Sequence, residues 1–302
     1  MKIKRQVVSV TEAIFGEKGP KINDIAEDYM EASKIYPHNL KRSMIGIYKL
    51  RQDKDLQYSA TRSVKTYSYK SCITLPKPDL PDVSLKEILL RRRTIRKYSK
   101  RKISFGDFSA LLQLSAGISS EIEYELGLKQ CVRTVPSAGA LYPLEIYCVV
   151  FSVNDILQGL YHFNPLNRCL EEIKVGNFCK EVNDFLLQPE LMENIAILIL
   201  ITGVFWRTRF KYGVRGLRFV LMEAGHLAQN FLLVAEALNM AAVLIGGFYD
   251  NRASNFLEID GTNEAPLYLI SVGYKPHVSE AKKRIVKNSI EENYPENFGV
   301  KE

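Results

Sequence analysis

The stretch that decides the fold is FKYGVRGLRFVLMEAGHLAQNFLLVAEAL, residues 210–238. From about residue 214 to residue 240 its apolar residues recur at helical spacing, which predicts one long helix. Seven of them form a single stripe: Val220, Ala224, Leu227, Ala228, Phe231, Ala235 and Leu238. Four more apolar residues lie off that stripe: Leu221, Met222, Leu232 and Leu233. We therefore expect a central helix that is buried on most sides.

Short apolar segments on both sides of this helix predict the strands of a sheet. Before the helix they occupy residues 144–151, residues 159–173 as two short strands around an Asn-Pro turn, and residues 195–205. After it they occupy residues 241–248 and 265–274. Helical patterns at residues 108–118 and 175–188 separate some of these strands. This order predicts an α+β fold with a central mixed or antiparallel sheet flanked by helices.

A proline-rich stretch, LPKPDLPD at residues 75–82, marks the best boundary in the chain. Immediately after it, Ser84 and Glu87 form the pattern of a capping box, which predicts the start of a helix. We expect a mainly helical N-terminal extension with a proline-rich linker over residues 1–82. Residues 83–302 would then form the ligand-binding domain.

The chain has 302 residues and a formal net charge of +7, and its 46% of hydrophobic residues excludes a disordered or collagen-like protein. Eight of the twelve residues in RRRTIRKYSKRK, residues 91–102, are basic. Without this stretch, basic and acidic residues are nearly equal in number. A compact cluster suits one small phosphorylated ligand, whereas a nucleic-acid-binding surface spreads its charge along a face. A solvated helix end is the alternative interpretation.

Five scattered cysteines predict reduced thiols and a cytoplasmic location. The N-terminus lacks the apolar stretch of a signal peptide, and the most apolar run, residues 195–205, is about half of a membrane span. The four histidines have no metal-ligand spacing, so we expect no metal. His226 is expected to be a hydrogen-bonded residue of the buried helix. No Walker A or Rossmann motif is present.

Three further segments have residue types suited to chemistry. The loop PSAGALYP, residues 136–143, has small side chains that let the backbone approach a flat ligand closely. Lys211 and Tyr212 lie between a strand and the long helix, where the ammonium would favour the phenolate and burial would lower the lysine pKa. Such a pair could transfer a proton near neutral pH, although a surface lysine beside an interfacial tyrosine is the alternative. Gly246 and Gly247 end a strand and leave room for a planar group, or form a turn.

Five segments, in the order in which they occur, resemble those of the FMN-dependent nitroreductase superfamily. They are RRRTIRKYS, PSAGALYPLEIY, residues 210–238, IGGFYD and APLYLISVG. More narrowly, they resemble its SagB-type branch, the azoline dehydrogenases that form thiazoles and oxazoles in ribosomally synthesised peptides. The resemblance covers about residues 84–275. The loop at residues 136–143 and the KYG-x-RG-x-R pattern are the most specific to this branch.

The resemblance implies a nitroreductase-like fold, FMN as cofactor, and Lys211 and Tyr212 as the catalytic pair. For the FMN phosphate and ribityl chain, the resemblance implies contacts from Arg92, Arg93, Thr94 and Arg96. Along the isoalloxazine ring it implies Pro136, Ser137, Ala138, Gly139 and Leu141, with Gly246 and Gly247 near the reactive nitrogen. It also implies Gln229 and Asn230 at the place where the helix faces the dimer partner and the flavin. A phosphate contact from Lys282, Lys283 or Arg284 is also considered.

The resemblance further implies a homodimer, a peptide substrate bearing azoline rings and cyclodehydratase partner enzymes, with no nucleic acid or membrane partner. Two other functions stay open. One is an NAD(P)H-dependent nitro- or quinone reductase with the same fold. The other is a flavin-binding scaffold subunit of a peptide-modifying complex. DNA binding by the basic run is a third, weaker interpretation.

Overall fold

The computed structural model describes residues 25–61, 64–123 and 129–276. The strands are β1 (Cys72–Thr74), β2 (Ile118–Glu123), β3 (Lys129–Arg133), β4 (Leu144–Val150), β5 (Gly159–Asn164), β6 (Cys169–Val175), β7 (Ile197–Val204), β8 (Met240–Ile245) and β9 (Glu264–Tyr274). The helices are α1 (Ile25–Ala32), α2 (Leu40–Ser43), α3 (Ile45–Gln52), α4 (Lys54–Thr61), α5 (Leu85–Arg91), α6 (Phe105–Ala116), α7 (Cys179–Phe185), α8 (Trp206–Tyr212), α9 (Gly216–Ala237) and α10 (Asp250–Leu257).

Seven strands form the central sheet in the order β1-β6-β5-β4-β7-β9-β8, and β2 and β3 form a separate two-stranded sheet. Each pair of neighbouring strands in the described part of the chain is antiparallel. The predicted α+β class is confirmed, and of the two sheet types expected, the antiparallel one is observed. Within the described ranges, no helix is long and apolar enough to cross a membrane.

The unbroken apolar run of β7 is explained by its position in the middle of the sheet. Ile197, Ile199 and Ile201 belong to the core cluster shared with α6 and α9. Leu198 and Leu200 belong to the cluster on the other face, shared with α7 and α10. Because side chains alternate along a strand, a strand covered by helices on both faces needs apolar residues at every position.

Helix α9 is buried along the predicted stripe but not all round. Leu221 is 49% exposed and Met222 is 50% exposed. The side chain of His226 is also exposed and forms no hydrogen bond to another described residue, so its predicted role as a hydrogen-bonded residue of a buried helix is wrong. The sheet and α6 cover only one side of α9 in a single chain. The opposite side exposes the apolar Leu221 and Met222 beside the polar His226 and Gln229.

The N-cap half of the predicted capping box forms, because Ser84 Oγ accepts a hydrogen bond from Glu87 N at 3.2 Å at the start of α5. The Glu87 carboxylate accepts from Arg91 Nη1 at 2.6 Å instead of from the Ser84 backbone. The helix ends at Arg91. The rest of the basic segment has no helix and leads to Ser99, whose backbone N–H donates to Tyr274 O at 2.9 Å at the end of β9. The cluster thus begins at a helix C-terminus, as predicted.

The N-terminal extension is helical over residues 25–61, but it also supplies β1, which pairs with β6 at the edge of the sheet. Its helices α1 and α3 contain no buried residue. The later part of the extension is packed more firmly, because Leu75 is buried in the core and Ile73 and Tyr67 pack against the two core clusters. The domain division at residue 82 stays a prediction.

The expectation of reduced thiols is wrong for two of the five cysteines. Cys72 in β1 and Cys169 in β6 form a disulfide with an S–S distance of 2.04 Å, and Cys131, Cys148 and Cys179 are free. The two strands pair, which brings the Cα atoms of the two cysteines within 6.0 Å despite a sequence separation of 97. The pairing removes the argument for a reducing cytoplasm that rested on the thiols.

Candidate active site

Lys211 and Tyr212 lie at the C-terminal end of α8, the short helix that follows β7. Gly213 ends this helix with a positive φ of 57°, a conformation that favours glycine. Lys211 Nζ lies 5.3 Å from the centroid of the Tyr212 ring. That ring packs edge-on against Phe219, with the centroids 4.9 Å apart. Both members of the pair are partly buried, so part of each remains accessible to a ligand.

Burial changes the protonation of both side chains. Burial, with a further contribution from the charge of Arg51, lowers the pKa of Lys211, as predicted. Burial raises the pKa of Tyr212, so the expected stabilisation of its phenolate is wrong. Desolvation of the phenolate is the cause of this shift. Both shifts favour the uncharged forms, an amine that accepts a proton and a phenol that donates one.

The loop at residues 136–143 brings backbone to the ends of these side chains. Gly139, Ala140 and Tyr142 have positive φ values of 67°, 52° and 42°, so the chain makes a tight left-handed turn before β4. A Cβ atom on Gly139 would lie 2.5 Å from Lys211 Nζ and 2.6 Å from Tyr212 Oη. The φ value favours glycine here, and a methyl group would have to displace the ends of both side chains. The structure thus brings the predicted loop and the predicted pair into one site.

A buried carboxylate that sequence reasoning missed holds this loop. Glu223 in α9 is 3% exposed, and its Oε2 accepts a hydrogen bond from Ser137 Oγ at 2.5 Å. The same Oγ accepts from Tyr142 N at 2.9 Å, so Ser137 acts as a turn hydroxyl. Burial raises the pKa of Glu223 to about 7, although the Ser137 bond and the charge of Arg133 oppose the shift. The sequence feature that could have identified Glu223 is its position directly beside Ala224, a residue of the apolar stripe of α9.

The other predicted site residues of the loop and of α9 differ in how much of each side chain is exposed to solvent. Asn230 Nδ2 donates to Ser115 O at 3.1 Å and to Thr134 O at 3.5 Å, which fixes the chain just before the loop. Gln229 is exposed on the outer face of α9. The side chain of Leu141 is buried in the core, so only its backbone can face a ligand. Pro136 and Gly139 are exposed and Ala138 is partly exposed.

Gly246 and Gly247 follow β8 at the same end of the sheet as the loop at residues 136–143 and the Lys211–Tyr212 pair. Strands β7 and β8 both run antiparallel to β9, so both end on the side where β9 begins. Strand β4 runs antiparallel to β7 and begins on that side. A Cβ atom on Gly246 would meet no atom within 4 Å, whereas one on Gly247 would lie 3.3 Å from Leu187 Cδ1. The open space at Gly246 is suited to close approach of a planar group.

Within a single chain, the start of the basic segment lies far from the group formed by Lys211, Tyr212 and the loop at residues 136–143. Arg91 Nε lies 3.7 Å from Glu236 Oε1 near the C-terminal end of α9. Ser137 contacts Glu223 near the N-terminal end of the same helix. The two glutamates are about 20 Å apart along the helix axis. One chain therefore presents two separate groups of predicted site residues.

The basic segment retains hydrogen-bond donors for a ligand. Within the described part of the chain, the side chains of Arg92, Thr94 and Arg96 form no hydrogen bond or ion pair. Arg93 Nη1 donates to Leu90 O at 2.9 Å and to Arg92 O at 2.8 Å. Guanidinium groups and a hydroxyl with free donors fit a phosphate group, and the open glycine backbone fits a flat ring. The residues present therefore fit a flavin mononucleotide.

Among the described residues, no group of three or more His, Cys, Asp or Glu side chains is arranged to hold a metal ion. Lys282, Lys283 and Arg284, considered above as phosphate contacts, lie outside the described residues.

Comparison with known proteins identifies the family. The sequence pattern of the nitroreductase family matches residues 89–274. The chain is 34% identical over 198 residues to MJ1384 of Methanocaldococcus jannaschii, a protein named as a nitroreductase, and the match covers 66% of this chain and 94% of that protein. It is 30% identical over 140 residues to the microcin B17-processing protein McbC of Escherichia coli, and that match covers 45% of this chain and 52% of McbC.

A solved structure, the E. coli microcin synthetase McbBCD complex with truncated pro-MccB17 bound, contains a chain of the same fold. The TM-score is 0.53 at 22% identity, and the superposition covers 83% of this chain and 92% of that chain. The fold and the order of motifs thus agree with the matched sequence pattern, and this chain belongs to the nitroreductase family.

Proposed function

We propose that this protein is an FMN-dependent azoline dehydrogenase, which oxidises thiazoline or oxazoline rings of a ribosomally synthesised peptide to thiazoles or oxazoles. The observation that carries the proposal is the convergence of Lys211 Nζ and Tyr212 Oη on the backbone at Gly139. This places a proton acceptor and a proton donor beside a loop with small side chains, where a flat ring has room. The similarity to a microcin-processing protein supports a peptide as the substrate.

FMN would be held by both groups of site residues. Arg92, Thr94 and Arg96 would bind the phosphate and ribityl chain, and the backbone of residues 136–139 and 246–247 would face the ring. When bound, FMN supplies the hydride acceptor for the oxidation. Because the two groups are about 20 Å apart along α9, we propose a homodimer in which each protomer completes the site of the other. The exposed side chains of Leu221 and Met222 in α9 would form part of that interface.

The residues of this chain would manage the proton in this reaction. An azoline that becomes an azole loses one proton and one hydride. Lys211, with its lowered pKa, would accept the proton from the ring carbon. Tyr212, with its raised pKa, would stay protonated and donate a hydrogen bond that orients the ring. Glu223 and Ser137 would keep the loop backbone at the distance that this geometry requires.

The proposal is tested first by the chromophore and then by the product. The purified protein should be yellow and should release FMN on denaturation. Incubation with a peptide that contains an azoline ring should remove two hydrogen atoms per ring, measured by mass spectrometry. Because cyclodehydratases produce such rings, we also propose that a cyclodehydratase supplies the substrate. A colourless protein, or an unchanged peptide with the yellow protein under air, would contradict the proposal.

An NAD(P)H-dependent nitro- or quinone reductase is the second candidate. The 34% identity to a protein named as a nitroreductase favours it. The two candidates differ in the reductant of the bound flavin. Rapid loss of flavin colour with NADH or NADPH alone, under anaerobic conditions and without peptide, would favour the reductase. Loss of colour only with the azoline peptide would favour the dehydrogenase.

A further inference from the structure

A pocket of about 360 Å³ lies between the N-terminal extension and the chain that follows α8. Residues 32–35 and Asn39 line it from the extension, and residues 212–215 line it from the domain. Tyr212 is therefore a member of both this pocket and the catalytic pair. A molecule that fills the pocket would contact the proposed active site directly.

Two arginines of the domain hold the extension at this position. Arg215 Nη1 donates to Ser33 O at 3.1 Å. Arg218 donates from Nε to Ser33 Oγ at 2.8 Å and from Nη2 to Met30 O at 2.6 Å. These acceptors lie at the C-terminal end of α1, where helix carbonyls lack partners within the helix. Ser33 is only 2% exposed, although its neighbours on either side in sequence are exposed.

The extension also contacts the catalytic pair through α3. A Cβ atom on Gly46 would collide with Phe210 O and would lie 2.7 Å from Lys211 O, so α3 packs backbone to backbone on α8. Arg51, at the end of α3, contributes to the lowered pKa of Lys211. The extension therefore touches both the backbone and the electrostatic environment of the proposed base.

The residues of the extension at this pocket are not those of a buried structural element. Helices α1 and α3 bury no residue, and Ile35, which lines the pocket, is 46% exposed. The residues lining the pocket include two cationic side chains, Lys34 and Arg215, and no acidic one. Lys34 is exposed and pairs with Glu31, which does not line the pocket. The lining thus offers positive charge, apolar surface and hydrogen-bonding groups next to Tyr212.

We propose that residues 32–35 and Asn39 form one wall of the substrate site and that this pocket binds the peptide segment next to the azoline ring, with a preference for an acidic side chain. The identity of the ring rests on the proposed function, whereas binding of an acidic peptide segment can be measured without turnover. The extension would then be a substrate-binding element fastened to the catalytic domain by Arg215 and Arg218.

The test fills the pocket and compares the result with a matched change outside it. Ile35→Trp places a large side chain in the pocket, and Met30→Trp, at a position of similar exposure that does not line it, is the control. The probe is a fluorescent peptide with a finished thiazole ring flanked by Asp, measured by anisotropy. We expect Ile35→Trp to weaken binding about tenfold, or about 1.4 kcal/mol, and Met30→Trp to leave it unchanged. Equal affinities of the two variants would overturn the proposal.

The charge preference is tested with a second variant. Lys34→Glu should weaken binding of the Asp-flanked peptide about fivefold and strengthen that of a Lys-flanked peptide, as expected for one exposed ion pair. An unchanged order of affinities would overturn the acidic preference. Flavin content and circular dichroism check folding, and Ile35→Phe should give a smaller effect in the same direction if the tryptophan variant is unstable.

The outcomes separate this proposal from the proposed function. If the wild-type protein binds the peptides in the pocket but oxidises no azoline peptide, the proposed function fails and the pocket stands. If the wild-type protein oxidises azoline peptides and Ile35→Trp matches Met30→Trp in both affinity and KM, the pocket fails and the proposed function stands.

Discussion

Two groups of ionisable side chains, one on the central sheet and one on helices α8 and α9, differ in how completely they are paired. In the first, which we call the paired cluster, His162 Nε2 lies 2.9 Å from Glu145 Oε2 and His162 Nδ1 lies 2.7 Å from Glu171 Oε2. Lys65 Nζ donates to Glu264 Oε2 at 2.8 Å in the same cluster. The Lys65–Glu264 ion pair, with the bond from Lys65 N to Glu145 Oε1 at 2.6 Å, fastens the segment before β1 to the strands, and the His162 pairs join three strands to one another.

The second group consists of Lys211, Tyr212 and Glu223. Within the described residues, none of the three forms an ion pair, and burial shifts each pKa toward the uncharged form. In the paired cluster the opposite holds. Burial opposes ionisation there too, but hydrogen bonds to Glu145 and Glu171 raise the pKa of His162 and favour its charged form. Removing one partner from a buried, fully paired cluster is strongly destabilising, whereas buried groups without an ion pair are candidates for proton transfer.

The largest expected effect is on the catalytic group. Lys211→Met combined with Tyr212→Phe removes both the proton acceptor and the donor while keeping similar volume. We expect azoline oxidation to fall by about 10³-fold, in the range of general acid–base catalysis. Flavin content and the free energy of unfolding should stay close to those of the wild-type protein. The measurement is the oxidation rate per bound flavin, and an undiminished rate would remove the assigned roles of both residues.

The second effect is on the paired cluster and concerns stability instead of rate. His162→Ala leaves two buried carboxylates without their shared partner, which should lower the free energy of unfolding by about 3–5 kcal/mol. Denaturant unfolding measures this loss. The oxidation rate per folded, flavin-loaded molecule should be unchanged. A variant that is fully stable but inactive would reverse the roles that we assign to the two groups.

The pH dependence of that loss follows from the direction of each shift. The pKa of His162 is raised above its ordinary value of 6.5, so its contribution is fully present below that pH and is lost as the pH rises through the raised pKa. The pKa values of Glu145 and Glu171 are lowered, so their contributions are present above 4.5 and are lost as the pH falls through the lowered values. The destabilisation by His162→Ala should therefore be largest between these limits and decline on either side.

The third prediction concerns the stability contribution of Glu223, a buried acid without a cationic hydrogen-bond partner. Its pKa rises from 4.5 to about 7 on folding, so the wild-type protein should lose stability as the pH rises through that interval. Glu223→Gln removes this titration. Between pH 5 and pH 8, the difference in unfolding free energy should shift in favour of the variant by up to about 3 kcal/mol. The control is Glu193→Gln at an exposed position, where a shift of the same size would contradict the account.

The smallest predicted effect comes from the close approach of the loop to the pair. Gly139→Ala should reduce the oxidation rate about tenfold, because the methyl group displaces Lys211 Nζ and Tyr212 Oη and the positive φ adds strain of about 1–2 kcal/mol. Gly261→Ala has a similar φ of 69° and lies against Ser254 Oγ at 3.2 Å, outside the proposed site. This control should lose stability but not activity per folded molecule. Equal activities of both variants would show that the Gly139 contact is not used.

Sequence reasoning found the parts of the molecule that depend on local pattern. The stripe of α9, the apolar run of β7 and the cap at Ser84 follow from residue spacing, and each is observed. The loop and the catalytic pair carried motifs that could be assigned by resemblance. Their mutual contact at Gly139 was not predicted, because 72 positions separate Gly139 from Lys211 in the sequence.

The missed features depend on pairings between distant segments. The Cys72–Cys169 disulfide requires knowing that β1 lies beside β6. The Ser137–Glu223 bond requires knowing which turn of α9 faces the loop. The raised pKa of Tyr212 follows from burial, which spacing alone did not give. The exposed face of α9 was missed because apolar spacing cannot tell a core contact from a surface that a second protomer would cover.

The central claim is that Lys211 and Tyr212 move the proton in oxidation of an azoline ring. The most direct test is anaerobic mixing of the flavin-loaded protein with one equivalent of an azoline peptide, following flavin colour and peptide mass in the same sample. We predict that the wild-type flavin loses its colour as the azole forms, and that the Lys211→Met, Tyr212→Phe double variant keeps both its flavin and its colour. Loss of colour at the wild-type rate in the double variant would contradict the claim.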